Sequence, residues 1–129
     1  MGMTAPSASA TLVLIVTKAQ FAKYLKRDFA RCYHCGITGD TLVPQHRLGR
    51  GMGGSKARDV PSNIITFCSY YNGLIESDTS ERLRALKLGW SLKSWQDPKT
   101  TPVFCMVTAE WYVLADDYTR RVYDATITE

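Results

Sequence analysis

The chain has 129 residues, 45% of them hydrophobic, and a formal net charge of +4. This length suits one domain with a single core. No stretch approaches the roughly 18 apolar residues of a membrane span, and no basic residue stands at the extreme N-terminus. We therefore predict neither a membrane protein nor a secreted one.

The charge is unevenly distributed along the chain. Residues 1–60 contain 9 Lys/Arg and 3 Asp/Glu, whereas residues 61–129 contain 7 and 9. A basic half favours a polyanionic partner such as DNA. An ordinary solvated surface with a chance excess of cations is the alternative, and charge alone does not exclude it.

The N-terminal part predicts a flexible arm followed by a helix. Residues 1–16 are mostly small and aperiodic at first, with a short apolar run at 12–16 that could form a strand. Thr17 and Gln20 have the spacing of a capping box and predict a helix that begins at Lys18. Its apolar face, expected to cover the core, carries at helical spacing Phe21, Tyr24, Leu25 and Phe29.

Four cysteines suggest a metal site rather than disulfides, because no secretory signal is present. Cys32 and Cys35, followed by glycine, have the spacing of a zinc knuckle. Cys68 stands where a second knuckle would begin, but Tyr71 occupies the position of its second thiolate. Cys105 or a water molecule could complete a structural Zn²⁺ site. The alternative is that these thiols simply pack as small apolar groups.

The centre of the sequence predicts a strand, a long loop, a second strand and a helix. The first apolar run ends at Gln45 and His46, and the second follows Asn63. Asn72 lies in the helix after it. We expect this order to bring His46, Asn63 and Asn72 together.

These residue types favour phosphodiester hydrolysis with one divalent ion. His46 is the candidate general base, since an unperturbed imidazole is substantially neutral at pH 7. Asn63, or the backbone that it organises, is the candidate group that orients the imidazole. The amide oxygens of Gln45 and Asn72 suit Mg²⁺ or Mn²⁺, which keeps several water ligands.

A glycine-rich basic loop separates the two predicted strands. Residues 49–54 match G-x-G-x-x-G, but no helix opens after them and the P-loop lysine is missing. The glycines more plausibly let the backbone approach a phosphate. The cations expected to contact the DNA backbone are Arg47, Arg50, Lys56 and Arg58.

The C-terminal part predicts a helix and a small β appendage spanning residues 90–129. The helix, at 79–88, would begin at a Ser77 or Asp78 cap and end at Gly89. Its inward residues would be Leu83, Leu86 and Leu88. Strand-like segments follow at 90–95, 103–107 and 111–114, and 122–123 could pair back. The aromatic residues expected to pack this appendage, rather than to form a base-stacking platform, are Trp90, Trp95, Trp111 and Tyr112.

Several of these motifs together resemble the HNH-family endonucleases, in the H-N-N form common in tailed bacteriophages of actinobacteria. They are C-x-x-C-G at 32–36, QHR and GMGG within 45–54, PSNIITFC at 61–68 and NGLIESD at 72–78. Weaker similarity continues through GW at 89–90, W-x-D-P at 95–98 and the segment 111–117.

The resemblance implies an α+β protein with a ββα-metal (HNH, treble-clef-like) core at 17–89. By position, His46 corresponds to the general base, Asn63 to the loop-organising residue and Asn72 to a metal ligand. Gln45 falls where the family usually has Asp or His as the other ligand. The implied partners are DNA and phage packaging or replication proteins in the host cytoplasm, and the oligomeric state stays open.

Two other functions remain as alternatives. The neutral Gln45 and the missing cysteine at Tyr71 would also suit a catalytically decayed DNA-binding module on the same fold. A structural or assembly protein of the phage, acting through the β appendage, is a third and weaker hypothesis.

Overall fold

The computed structural model describes residues 16–49 and 58–124. Within these ranges the chain forms three α-helices and two small antiparallel sheets, which confirms the α+β class. The elements in order are α1 (Lys18–Arg27), β1 (Leu42–His46), a 3₁₀ turn (Pro61–Asn63), β2 (Ile64–Cys68), α2 (Ser69–Ser77), α3 (Thr79–Leu88), β3 (Val103–Cys105), β4 (Glu110–Leu114) and β5 (Arg120–Val122). The predicted N-terminal arm lies outside the described residues except for its last residue, Val16.

Helix α1 begins as predicted and ends earlier than predicted. The Gln20 amide donates to Thr17 Oγ1 at 3.1 Å, and the Thr17 amide donates to Gln20 Oε1 at 3.0 Å, which completes the capping box. The helix ends at Arg27, and Phe29 beyond it has a left-handed backbone with φ of 57°. The prediction that Phe29 packs on the core is therefore wrong, and its side chain is 72% exposed.

Strands β1 and β2 form an antiparallel pair in which Leu42 is opposite Cys68 and His46 is opposite Ile64. Every residue of β2 is buried, because helices α1 and α2 both pack against it. Neighbouring residues of a strand point to opposite faces. Gln45 and His46 therefore leave β1 on opposite sides.

Helices α2 and α3 meet at Asp78, whose side chain accepts a hydrogen bond from the Glu81 amide at 3.0 Å. Gly89 ends α3 with φ of 80°, as the sequence predicts. The helix contacts the core through Ala85, which is fully buried. Leu83 precedes Ala85 by about 200° around the helix, so its predicted inward position is wrong and it is 61% exposed.

The segment 91–102 contains no strand, contrary to the expectation for 90–95. Its backbone amides do not pair with a neighbouring strand. The Leu92 amide donates to Arg47 O at 2.8 Å, and the Gln96 amide donates to Lys93 O within a local turn at 2.9 Å. Strands β3, β4 and β5 follow as an antiparallel sheet in that order. Residues 120–122 pair with β4, which is the return strand that the sequence suggested one or two residues later.

A single large core cluster joins the two sheets. Phe67 of β2 packs with Trp90, and the same cluster includes Val103, Tyr112 and Leu114 of the C-terminal sheet. The Trp90 indole donates to Phe104 O at 2.7 Å, which links the end of α3 to β3. The part of the chain that the structure describes has no helix of the length and apolarity that a bilayer crossing requires.

A buried polar network supports the other side of β2. Asp28 accepts hydrogen bonds from Arg27 at 2.8 Å, from Tyr33 Oη at 2.7 Å and from Thr66 Oγ1 at 2.9 Å. The pKa of Tyr33 is raised, mainly because burial disfavours the phenolate. This network ties the end of α1 to the cysteine knuckle and to the centre of β2.

Candidate functional site

Asn63 holds the two ends of the glycine-rich loop together. Its Oδ1 accepts from the Leu48 amide at 2.8 Å, and its Nδ2 donates to Leu48 O at 3.0 Å and to Arg58 O at 2.9 Å. The side chain is completely buried, so these bonds are shielded from water. Such contacts are those of a loop-organising residue, the role that the family resemblance implies for Asn63.

His46 is hydrogen-bonded to a carboxylate that the sequence analysis missed. Its Nε2 lies 2.9 Å from Asp59 Oδ1, and the two side chains are only 16% and 15% exposed. A partly buried carboxylate at one ring nitrogen fixes both the orientation and the tautomer of an imidazole. Asp59 lies 13 residues after His46 in an irregular segment, and no periodicity or spacing rule points to it.

Gln45 and Asn72, the two predicted ligands of the catalytic ion, are in direct contact. Asn72 Nδ2 donates to Gln45 Oε1. Gln45 Nε2 in turn donates to the carbonyl of Trp90 at 3.2 Å, and the Gln45 side chain is buried. The fold thus brings a residue of β1 and a residue of α2 to one place.

The side chains of His46 and Asn72, which the sequence predicts to lie together, instead take part in two separate contacts. Gln45 meets Asn72 on one side of β1, whereas His46 meets Asp59 on the other. His46 is the last residue of β1. A substrate could reach both sides only at this end of the strand, next to the loop that Asn63 organises.

Arg47 is a structural residue, which corrects the prediction that it contacts DNA. The side chain is 1% exposed. Its guanidinium donates to backbone carbonyls of Gly89 at 2.8 Å, Ser62 at 3.0 Å and Thr101 at 2.7 Å. Burial lowers the pKa of Arg47 to about 10, so the group stays charged at neutral pH and joins the hairpin to the C-terminal part.

The other predicted DNA contacts lie in or beside the loop. Arg50 and Lys56 lie outside the described residues. Arg58 is half-buried, and its Nη1 donates to Gly49 O across the base of the loop. Arg58 therefore helps to close the loop, and its partial exposure leaves it able to meet an anion.

The sulfur atoms of Cys32, Cys35 and Cys68 lie within 4.8 Å of one another and could hold a metal ion. The Sγ atoms of Cys35 and Cys68 are 3.8 Å apart. Burial raises the pKa of the Cys32 thiol to about 12, so an ion must displace a strongly held proton. Among the described residues, Cys105 is not part of this cluster, so its role as a fourth ligand stays a prediction.

Tyr71, at the position of the missing fourth cysteine, has a packing role. Its amide donates to Cys68 Sγ at 3.5 Å, and its ring stacks on His34 at 3.7 Å with an interplanar angle of 12°. His34 also stacks on Trp90 at 4.7 Å and lies 3.0 Å from Glu81 Oε1. Tyr71 therefore packs on the knuckle residue His34, at the position where a second C-x-x-C motif would supply its second thiolate.

Comparison of the chain with protein-family models, with curated proteins and with solved structures gave no match.

Proposed function

We propose that the chain is a metal-dependent DNA endonuclease with a ββα-metal core of the HNH type. The observation that carries this proposal is His46, paired with Asp59 at the end of β1 and next to the loop closed by Asn63. A positioned imidazole beside a basic loop suits the hydrolysis of a phosphodiester, which also needs a bound divalent ion. The supporting framework is the order β1, loop, β2, α2.

In this proposal His46 removes the proton from the attacking water. Asp59 accepts a hydrogen bond from His46 Nε2, which leaves Nδ1 as the basic nitrogen. Asn63 fixes the positions of the two loop ends by bonding to both, so that backbone amides and cations can position the phosphate.

The catalytic ion would be held by Gln45 and Asn72. Both supply the hard amide oxygens that Mg²⁺ and Mn²⁺ accept, and these ions keep several waters when protein ligands are few. The ion would supply charge stabilisation at the phosphate and the leaving oxygen. The hydrogen bond between the two amides must open for Gln45 to bind, because its oxygen now accepts from Asn72.

The three thiolates fit a structural Zn²⁺ with one ligand from outside the cluster. Zinc is usually four-coordinate in structural sites, and thiolates are its preferred ligands. The cluster joins the knuckle at 32–35 to the N-terminus of α2. An ion there would hold the knuckle against the junction of β2 and α2, at the start of the helix that carries Asn72.

The test compares the two histidines of the chain. Nicking of supercoiled plasmid in Mg²⁺ or Mn²⁺ should fall by about 10²-fold or more in His46→Ala, the contribution of a general base, with an unchanged thermal midpoint. His34→Ala is the matched control: it should lower the midpoint through loss of the stack and the Glu81 contact but keep its rate at low temperature. Full activity of His46→Ala would refute the assignment.

A non-catalytic DNA-binding module is the second candidate, favoured by the bond between Gln45 and Asn72. Two neutral amides, one of which donates to the oxygen of the other, bind a cation more weakly than a carboxylate does. This candidate predicts salt-sensitive DNA binding without cleavage by any divalent ion. Cleavage that appears only in Gln45→Asp would support it, and cleavage by the wild type would exclude it.

A further inference from the structure

The loop at residues 91–102, here called the Trp95 loop, presents an indole to solvent in an ordered turn. Trp95 is 78% exposed, the largest exposure among the large hydrophobic residues that the structure describes, so the prediction that it packs the β appendage is wrong. The turn beneath it is closed twice: Lys93 N donates to Gln96 Oε1 at 2.7 Å, and Gln96 N donates to Lys93 O at 2.9 Å. The side chain of Trp95 is therefore exposed on an ordered, hydrogen-bonded turn and not on a frayed end.

The Trp95 loop is anchored to the residue that follows His46. Leu92 N donates to Arg47 O at 2.8 Å, and the Arg47 guanidinium donates to Pro98 O at 3.0 Å and to Thr101 O at 2.7 Å. Both ends of the loop are thus fixed to Arg47, the residue that directly follows β1. Any ligand on Trp95 is held in a constant relation to the end of that strand.

A cleft of about 230 Å³ lies between the Trp95 loop and the turn that contains Asn63. Its lining combines both parts: Leu48, Arg58, Val60, Ser62 and Asn63 on one side, and Asp97, Pro98 and Lys99 on the other. The loop that carries the exposed indole therefore borders the turn that contains Asn63, the residue that closes the glycine-rich loop.

The charges around Trp95 suit a nucleic acid. Lys93 Nζ lies 5.9 Å from the centre of the indole ring, and Lys99 and Arg58 line the cleft. The acidic Asp97 is turned to its own loop, where Oδ1 accepts from Lys99 N at 2.9 Å. An exposed aromatic ring with a lysine beside it is the combination that stacks a base and pairs with its phosphate.

We propose that Trp95 is a stacking platform for an unpaired DNA base next to the cleavage site. The inference rests on the proposed function, because it takes DNA as the substrate. A base inside a duplex is already stacked on both neighbours and must be extruded before it can meet the indole, at a cost in unstacking energy. The platform therefore favours single-stranded DNA, or a duplex with a bulged base, over a fully paired duplex.

The experiment is a binding titration of the full chain in chelator at low salt, so that cleavage plays no part. The probes are one oligonucleotide as a single strand, its perfect duplex, and the same duplex with one bulged base. Wild-type tryptophan fluorescence should be quenched. Trp95→Phe should lose most of the quenching and keep its affinity, whereas Trp95→Ala should bind the single strand about 5- to 150-fold more weakly. Trp111→Phe, which changes a less exposed indole, should keep both.

The outcomes separate this inference from the proposed function. Wild-type nicking together with unchanged binding by Trp95→Ala would overturn the platform and leave the nuclease intact. Quenching lost in Trp95→Phe, without cleavage in any divalent ion, would support the platform and overturn the nuclease. Equal affinity of the wild type for all three probes, or affinity for RNA or protein but not DNA, would overturn the platform.

Discussion

At the scale of single residues, the hydrogen bond between His46 and Asp59 has the clearest chemical meaning. It joins the last residue of β1 to a carboxylate on the far side of the loop. An imidazole that is free to rotate presents either nitrogen to a substrate, whereas a paired one presents the same nitrogen each time. The pair is therefore the place where a small change in structure should have a large effect on rate.

Asp59→Asn should lower the rate of plasmid nicking by about 10²-fold or more, because the amide keeps the size of the side chain but allows the wrong imidazole tautomer. KM for DNA should stay within a few-fold, since Asp59 does not reach the substrate. Asp40→Asn, at an exposed position, is the control and should behave as wild type. A wild-type rate in Asp59→Asn would show that His46 does not depend on this carboxylate.

Sequence reasoning found some of these residues for a physical reason and missed others. Asn63 was predictable because it stands between a proline-marked turn and an apolar run, where a loop has to be closed. Asp59 was not, because its partner is 13 residues away across an irregular loop. Arg47 was misassigned because a cation next to a candidate catalytic histidine suggests a phosphate contact. Its actual partners are backbone carbonyls up to 55 residues away, which the local sequence does not reveal.

At the scale of elements, the end of α3 is fixed by a close approach of two backbones. A Cβ on Gly89 would lie 2.3 Å from Pro102 O, and the residue has φ of 80°. The same glycine carbonyl accepts from Arg47 at 2.8 Å. Helix α3, the Trp95 loop and β1 therefore meet at a position that admits no side chain.

Gly89→Ala should lower the free energy of unfolding by more than about 1 kcal/mol, since the left-handed conformation alone costs that much and the contact with Pro102 adds to it. Gly73→Ala is the matched control, because it lies within α2 with nothing within 4 Å of the new methyl group. It should raise stability by up to about 1 kcal/mol. Urea unfolding of both variants measures the difference, and equal values would contradict the proposed steric role.

The cysteine cluster gives a second prediction at this scale. The purified chain should contain about one zinc ion, and Cys35→Ser and Cys68→Ser should each lose it. Cys105→Ser should keep it, because Cys105 lies outside the cluster. Metal analysis with a thermal melt in chelator provides the measurement. Zinc retained in Cys68→Ser, or none in the wild type, would favour simple packing of the thiols.

Elements with local signals were predicted well. The capping box of α1, the Asp78 cap and the Gly89 end of α3 each depend on contacts within a few residues. The segment 90–95 was expected to be a strand from its apolar pattern. It is irregular because its backbone bonds to Arg47 instead of to a neighbouring strand, and such a partner is not visible in local sequence.

At the scale of the molecule, the N-terminal and C-terminal parts share one core. Trp90, Val103 and Leu114 pack in the same cluster as Phe67 and Cys32. Asp116 also accepts from Ser62 N at 2.9 Å, so the C-terminal sheet supports the turn that contains Asn63. The predicted nuclease region at 17–89 therefore depends on residues beyond it.

A chain that ends at Gly89 should lack a cooperative unfolding transition by circular dichroism, because Arg47 loses its bonds to Pro98 and Thr101 and the core loses Trp90. A peptide of residues 90–124 added separately should restore the transition, which controls for handling of the fragment. A shortened chain that melts cooperatively by itself would show that 17–89 folds independently.

The anchoring of Arg47 also has a consequence for the order in which the chain acquires its shape. Its guanidinium donates to carbonyls that lie 42 and 54 residues further along the chain and are therefore synthesised later. During synthesis on the ribosome, β1 and β2 emerge before these carbonyls do. The Arg47 guanidinium then has only water to replace them, and burying it in the hairpin at that stage would be unfavourable. We therefore expect folding to be delayed until residue 101 has left the exit tunnel, and to be slow for a chain of this size because the decisive contacts are so distant.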